Sequence, residues 1–168
     1  MTVLAGQTIR ALRVLQKDGG FCKIFEPFEE RTRHEESGMT YGLSVAGYDV
    51  RVKDGYRLAP GEFTLAVTME RFCIPNNLIA IVHDKSTLAR MGLAVQNTVA
   101  EPGWEGWLTL ELTNHGDKTI TILPGQPIAQ ILLHKLDDTA EKPYEGRYQN
   151  QGPEPVAAKR LDGTEEKI

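Results

Sequence analysis

Between Tyr41 and Lys135 the chain is cut into short runs by Asp54-Gly55, Pro60-Gly61, Pro75-Asn76-Asn77, Pro102-Gly103, His115-Gly116-Asp117 and Pro124-Gly125. The runs between these turns are rich in Val, Ile, Leu, Thr and aromatic residues, which suit a pleated, half-buried backbone. Gly, Pro and Asn supply the chain reversals that end strands. Short strands at such regular intervals build an all-β barrel or sandwich rather than βαβ units, which need a helix between successive strands. One run breaks the pattern. In Lys85-Ser86-Thr87-Leu88-Ala89-Arg90-Met91-Gly92, Ser86 can cap and Gly92 can stop one or two helical turns. A second short helix is expected over 7–17, where Ile9, Leu12 and Leu15 recur at helical spacing and Gly19-Gly20 supplies a stop. From Cys22 to Met39 the chain is charged and irregular, and reads as a loop or extended arm. The expected fold class is mainly β, with a short N-terminal helix and one short internal helix.

With 168 residues the chain is one domain's worth, against a usual range of ~100–200. Its last stretch, Glu141 to Ile168, is polar and carries Gly146, Gly152 and Gly163 with Pro143, Pro153 and Pro155, a composition that is ordinarily disordered. A net charge of -4 disfavours a nucleic-acid partner, which asks for a basic surface. No stretch approaches the ~18 uninterrupted apolar residues that span a bilayer, so no membrane partner is expected. Arg10, Arg13 and Lys17 interrupt the place where a secretory segment would be apolar, and a cytoplasmic location is expected. Two cysteines, Cys22 and Cys73, are too few for a disulfide scaffold or a Cys-rich zinc site. The histidines His34, His83, His115 and His134 are scattered without the His-x-Glu and Cys-x-x-Cys pattern of the zinc nucleobase deaminases. Any hydrolysis would then activate its water with a side chain and no zinc.

One carboxylate stands out. Along Trp107-Leu108-Thr109-Leu110-Glu111-Leu112-Thr113-Asn114 strict alternation puts Leu108, Leu110 and Leu112 on one face and Trp107, Thr109, Glu111 and Thr113 on the other. If that second face meets bulk water, Glu111 is an ordinary surface carboxylate. If Trp107 encloses it, burial disfavours the charged form and makes the carboxyl useful for acid and base work. Glu101 sits ten residues earlier, before the turn Pro102-Gly103-Trp104-Glu105-Gly106. The short helix at 85–92, with Lys85, Ser86 and Arg90, reads equally as a phosphate site or as a capped turn with solvated charges.

Lys85 to Leu93, Glu101 to Gly106 and Thr109 to Asn114 resemble, in order, the consecutive motifs of the dCTP deaminase family, a branch of the dUTPase-like superfamily. Weaker similarity runs upstream through Tyr41-Gly42-Leu43-Ser44, Gly47-Tyr48-Asp49 and Pro60-Gly61-Glu62-Phe63. Downstream it takes in Pro143-Tyr144 and Arg147-Tyr148-Gln149-Asn150-Gln151-Gly152. The resemblance implies a distorted dUTPase-like β-barrel or jelly roll and a homotrimer whose active sites lie at subunit boundaries. The implied ligand is a deoxynucleoside triphosphate such as dCTP, carrying Mg2+. It implies hydrolytic deamination of dCTP to dUTP and ammonia, with Glu111 as the base and acid that shuttles protons. Ser86 and Arg90 fall on residues that position the nucleotide and support the catalytic water, with Lys85, Thr87, Leu88 and Ala89 around the phosphates. Thr109 and Leu110 fall beside the base. Glu101 falls where the family usually has an aspartate near the sugar. Tyr144, Arg147 and Gln151 correspond to positions that close over the triphosphate, making 141–168 a flexible lid on a single domain, 1–168. The Gly92–Glu101 stretch is shorter than usual in the family. A dUTP pyrophosphatase or a bifunctional deaminase-dUTPase, with Glu101 activating water, is the neighbouring reading. A non-catalytic nucleotide-binding regulatory module is a third, against which Glu111, Ser86 and Arg90 all persist.

Overall fold

A computed structural model describes residues 2–15, 19–96 and 98–159. The strands in chain order are β1 (Thr2–Val3), β2 (Val14–Leu15), β3 (Phe21–Cys22), β4 (Phe25–Glu26), β5 (Thr32–Arg33), β6 (Thr40–Leu43), β7 (Tyr48–Arg51) and β8 (Tyr56–Leu58). They continue with β9 (Phe63–Cys73), β10 (Leu78–Asp84), β11 (Leu93–Val95), β12 (Val99–Ala100), β13 (Glu105–Asn114), β14 (Ile120–Ile122) and β15 (Pro127–Lys135). Two short helices interrupt them, α1 (Gly6–Ala11) and α2 (Ser86–Ala89). Each turn cluster named above falls between strands, so the mainly β expectation holds.

The strands form a seven-stranded sheet in the order β12-β10-β15-β7-β6-β5, with β1 also on β15, and a four-stranded sheet, β11-β13-β9-β4. The pairs β8–β14 and β2–β3 complete the layers, and every strand pair is antiparallel. Ile131 and Val50 of the large sheet, Leu110 and Phe72 of the small one, and Ile120 and Ile122 of β14 are buried together in one core. Phe25 stacks on Tyr48 at 4.5 Å and meets Phe72 edge-on at 5.0 Å, which ties β4, β7 and β9 together.

Three expectations need correction. The N-terminal helix covers Gly6–Ala11 only, because Val14 and Leu15 leave it to pair with Cys22 and Phe21. Leu15 consequently points outward, 63% exposed, and the Arg13 guanidinium folds back to donate to the carbonyl of Leu12 at 2.8 Å. Lys17 lies outside the described residues. The supposed loop from Cys22 to Met39 contains β4 and β5, whose two-residue length leaves no periodicity to read, and Ile24 and Phe25 are fully buried. Ser86 does not cap α2: Lys85 occupies the N-cap position, and no side chain bonds there. Gly92 does end the helical turn, at φ 94°, where a Cβ would lie 2.5 Å from the Gly116 amide nitrogen.

An ion pair crosses between the two sheets. Glu70 on β9 is wholly buried, and its carboxylate accepts from the Arg51 amide at 2.9 Å and from Arg51 Nε at 2.7 Å. It turns inward because the β9–β13 register shifts between Trp107 and Thr109, leaving Thr68, Met69 and Glu70 as a bulge. Thr68 Oγ1 holds that bulge, donating to the Glu70 carbonyl at 2.8 Å and accepting from the Leu108 amide at 3.0 Å.

Candidate active site

The faces of β9 and β13 turned away from the core, the segment around β12 and the returning C-terminal chain enclose a cavity of about 380 Å³. Glu111 lies in its wall, directly opposite Leu65 across the β9–β13 pair, with Thr109 opposite Val67 on the same side. The Glu111 carboxyl is half-buried, and its Oε2 is buried without a hydrogen-bond partner. Burial pushes this carboxyl above the usual range, opposed by a hydrogen bond from its own backbone. Of the two readings left open by alternation, the enclosed one is what the fold produces.

The enclosure comes from a different tryptophan. Trp107 pairs with Arg71 and is absent from the cavity wall, whereas Trp104, at 4% exposure, forms part of it. Trp104 packs edge-on against Phe72 and donates from Nε1 to the Tyr148 carbonyl at 2.7 Å. The alternation holds along β13: Leu108, Leu110 and Leu112 all join the buried core, and Leu108 also reaches the cavity wall beside the bulge. Leu110 presents no side chain to this cavity. Glu101 stands exposed at the cavity rim.

The C-terminal segment, up to Lys159, packs along β13. Gln151 bridges Gly106 in parallel and accepts the Trp107 amide at 3.1 Å. Its side-chain oxygen accepts from Thr109 Oγ1 at 3.3 Å, and Thr109 Oγ1 in turn accepts the Val156 amide at 3.0 Å. Tyr144 and Gln151 line the cavity, but Arg147 points elsewhere, donating to the Lys159 carbonyl at 2.7 Å. Residues 160–168 of the expected lid lie outside the described residues.

None of Lys85, Ser86, Thr87, Leu88, Ala89 and Arg90 lines this cavity within one chain. Ser86, Thr87, Ala89 and Arg90 are exposed and Leu88 is in the core. The Lys85 ammonium is held by the mostly buried Asp49 at 2.6 Å. Burial pushes the Asp49 carboxyl up, with Lys85 acting against it. The cavity wall thus holds two carboxylates, Glu101 and Glu111, and among the described residues no Lys, Arg or His. Sequence reasoning missed Phe63, Leu65, Thr98, Val99, Val156 and Ala158 of the wall, because only the packing together of segments distant in the chain brings them to one place. Among the described residues no three His, Cys, Asp or Glu side chains are grouped to hold a metal ion, and no helix is long and apolar enough to cross a membrane.

The family model for dCTP deaminase-like proteins matches residues 20–136. Over 183 aligned positions the chain is 31% identical to a dCTP deaminase of Herminiimonas arsenicoxydans, covering 90% of this chain and 96% of that protein. The fold is similar to that of the native EIAV dUTPase, with a TM-score of 0.55 and 20% identity over 73% of this chain and 96% of that one. It is also similar to a dUTPase of the Staphylococcus aureus phage phi11, at a TM-score of 0.53 and 16% identity over 87% of this chain and 98% of that one. The phage structure details the coordination of a structural Mg(II) ion. At these identities the solved structures bear on the fold, which is the dUTPase-like barrel.

Proposed function

This chain belongs to the dCTP deaminase-like family, and from that premise we propose that it hydrolyses dCTP to dUTP and ammonia in cytoplasmic pyrimidine deoxynucleotide metabolism. The observation that carries the reading is Glu111: a cavity-lining carboxyl, raised in basicity by burial, with one oxygen left unpartnered. Water held in the cavity against this carboxyl gives up a proton to it as the water oxygen attacks C4 of cytosine. That proton passes to N3, which receives the C4–N3 π electron pair. The carboxylate then takes the proton of the new C4 hydroxyl and delivers it to the exocyclic amine, the C4–N bond breaks as C4=O forms, and ammonia leaves. Thr109 supplies a polar contact beside the base, with Leu110 contributing its backbone, and Glu101 stands by the sugar. Tyr144, Arg147 and Gln151 close over the triphosphate, and binding energy from that end holds the base in register with Glu111. The short 141–168 tail acts as the lid of a one-domain enzyme.

A wall with two carboxylates and no cation suits a polyanion only if positive charge arrives from outside that wall. The exposed Ser86–Arg90 turn of a neighbouring copy would bring it, with Ser86 and Arg90 supporting the water and Lys85, Thr87 and Ala89 near the phosphates. This favours the homotrimer with shared sites. Magnesium would enter with the triphosphate rather than on a protein cage, as no three His, Cys, Asp or Glu side chains are grouped to hold it among the described residues.

One assay tests the activity: purified protein with magnesium and dCTP or dUTP, with ammonia and pyrophosphate scored separately. Ammonia from dCTP is the expected result, unchanged by a zinc chelator. Glu101 in the same wall favours a second reading, a bifunctional deaminase-dUTPase, which would release both products. Pyrophosphate from dUTP alone would replace the proposal with a dUTPase. Nucleotide binding with neither product would indicate a regulatory module. The shared site has its own test. Arg90→Ala and Glu111→Gln chains should each be inactive, yet mixed trimers assembled from equal amounts should recover about one quarter of wild-type turnover, as expected when adjacent copies in a closed ring complete each site. No recovery in mixed trimers would place both residues in one chain's site.

A further inference from the structure

We propose that Leu65 is a positioning residue for the reaction: it walls off one side of the Glu111 carboxyl and so sets how strong a base that carboxyl is. The inference deepens the reading of Glu111 as the proton shuttle. Leu65 lies directly opposite Glu111 in the antiparallel β9–β13 pair, where side chains share a face with Cβ atoms ~4.5–5.5 Å apart. Both residues line the same cavity, and Phe63, opposite Thr113, extends the apolar wall past them. Leu65 offers no donor, which accords with the buried and unpartnered Oε2.

Within one chain the other groups around the cavity leave this apolar neighbour in control, and the Arg90 guanidinium that the proposed shared site adds from a neighbouring copy is the same in every Leu65 variant. From the segment around β12 the facing groups are Thr98, Val99 and, at the rim, Glu101. From the C-terminal segment the titratable groups are Tyr144 and Tyr148. From β9 none is titratable, and on β13 the remaining wall residues are Leu108 and Thr109. No cation of the described chain faces the carboxyl to offset its desolvation, which is the largest cause of its raised position.

Leu65→Asn puts an amide donor where an apolar methyl group stands, at similar size. It should stabilise the carboxylate and weaken the base. The test is a carbon-13 NMR titration of nucleotide-free protein labelled at glutamate carboxyls, with the Glu111 signal assigned by its disappearance in Glu111→Gln. In Leu65→Asn the Glu111 midpoint should fall by about one pH unit, a tenfold change in proton affinity. Leu65→Ile should titrate as wild type. With dCTP, Leu65→Asn should lower kcat and move the acidic limb of its pH profile down, while KM changes little. A Glu111 midpoint that is the same in Leu65→Asn and wild type overturns the proposal. Should Leu65→Asn fail to fold, Leu65→Thr, compatible with a strand and carrying a hydroxyl donor, decides by the same criterion. Because the titration needs no turnover, an absence of dCTP deamination would refute the proposed function and leave the assignment of Leu65 to be decided by the NMR midpoint.

Discussion

Glu111→Gln should lower ammonia release from dCTP by about 10²–10⁴-fold, the usual worth of a positioned proton shuttle, and should leave the barrel folded. The amide keeps the shape of the carboxyl but cannot take a proton from water. Its effect on stability runs the other way. A carboxyl whose folded value is raised binds its proton more tightly in the native chain than in the unfolded one. The wild type therefore loses stability as pH climbs from the ordinary value of 4.5 through the raised one. The glutamine variant lacks that loss, so it should melt at a higher temperature than wild type at pH 7–8, and the gap should close as pH falls below 4.5. For a chain of this size each ~1 kcal/mol corresponds to about 2–4 °C. Calorimetry of nucleotide-free protein at both pH values checks the sign. A variant less stable than wild type at neutral pH would mean that Glu111 has a native partner it depends on.

The largest stability effect is expected at the opposite side of β9. Glu70→Gln should destabilise the fold by about 3–5 kcal/mol, because it leaves the Arg51 guanidinium buried against an uncharged amide. The Arg51 side chain is 11% exposed and Glu70 0%, so little water can replace the lost charge. Arg51 Nη2 already lacks a hydrogen-bond partner, which makes the site less tolerant still. The stacking of the guanidinium over the Tyr41 ring at 4.5 Å is the contact that would survive. Replacing both partners at once, Arg51→Met with Glu70→Leu, removes both buried charges and should recover most of the loss. Thermal unfolding of the single and double variants measures this directly. A single variant as stable as wild type would show that the pair is not what holds the two sheets together.

Much of the architecture was legible locally. Turn residues such as Pro102-Gly103 and Pro124-Gly125 mark strand ends through their own backbone preferences, and they fall between strands in the structure. The alternation that singled out Glu111 is likewise a property of one strand, read over a few residues. Local pattern failed where long-range pairing intervened. Val14 gave up helix for a partner eight residues on, and β4 and β5 are too short to carry a period. Leu108, a core residue as the alternation predicts, also reaches the cavity wall beside the β9 bulge. The enclosing aromatic is Trp104, three residues from the one the pattern suggested, because the turn before β13 swings it under the returning tail.

By itself, the sequence determined the mainly β class, the order of the turns and the face of β13 on which Glu111 sits. These depend on intrinsic backbone preference and two-residue periodicity, which act between near neighbours. Only the tertiary structure decided that this carboxyl is desolvated, that Leu65 faces it, that Glu70 meets Arg51 inside, and that the Ser86–Arg90 turn stays outside the cavity of its own chain. Desolvation and ion pairing depend on which distant segments share a space. That is set by strand register and a bulge, and no local pattern along the chain encodes either.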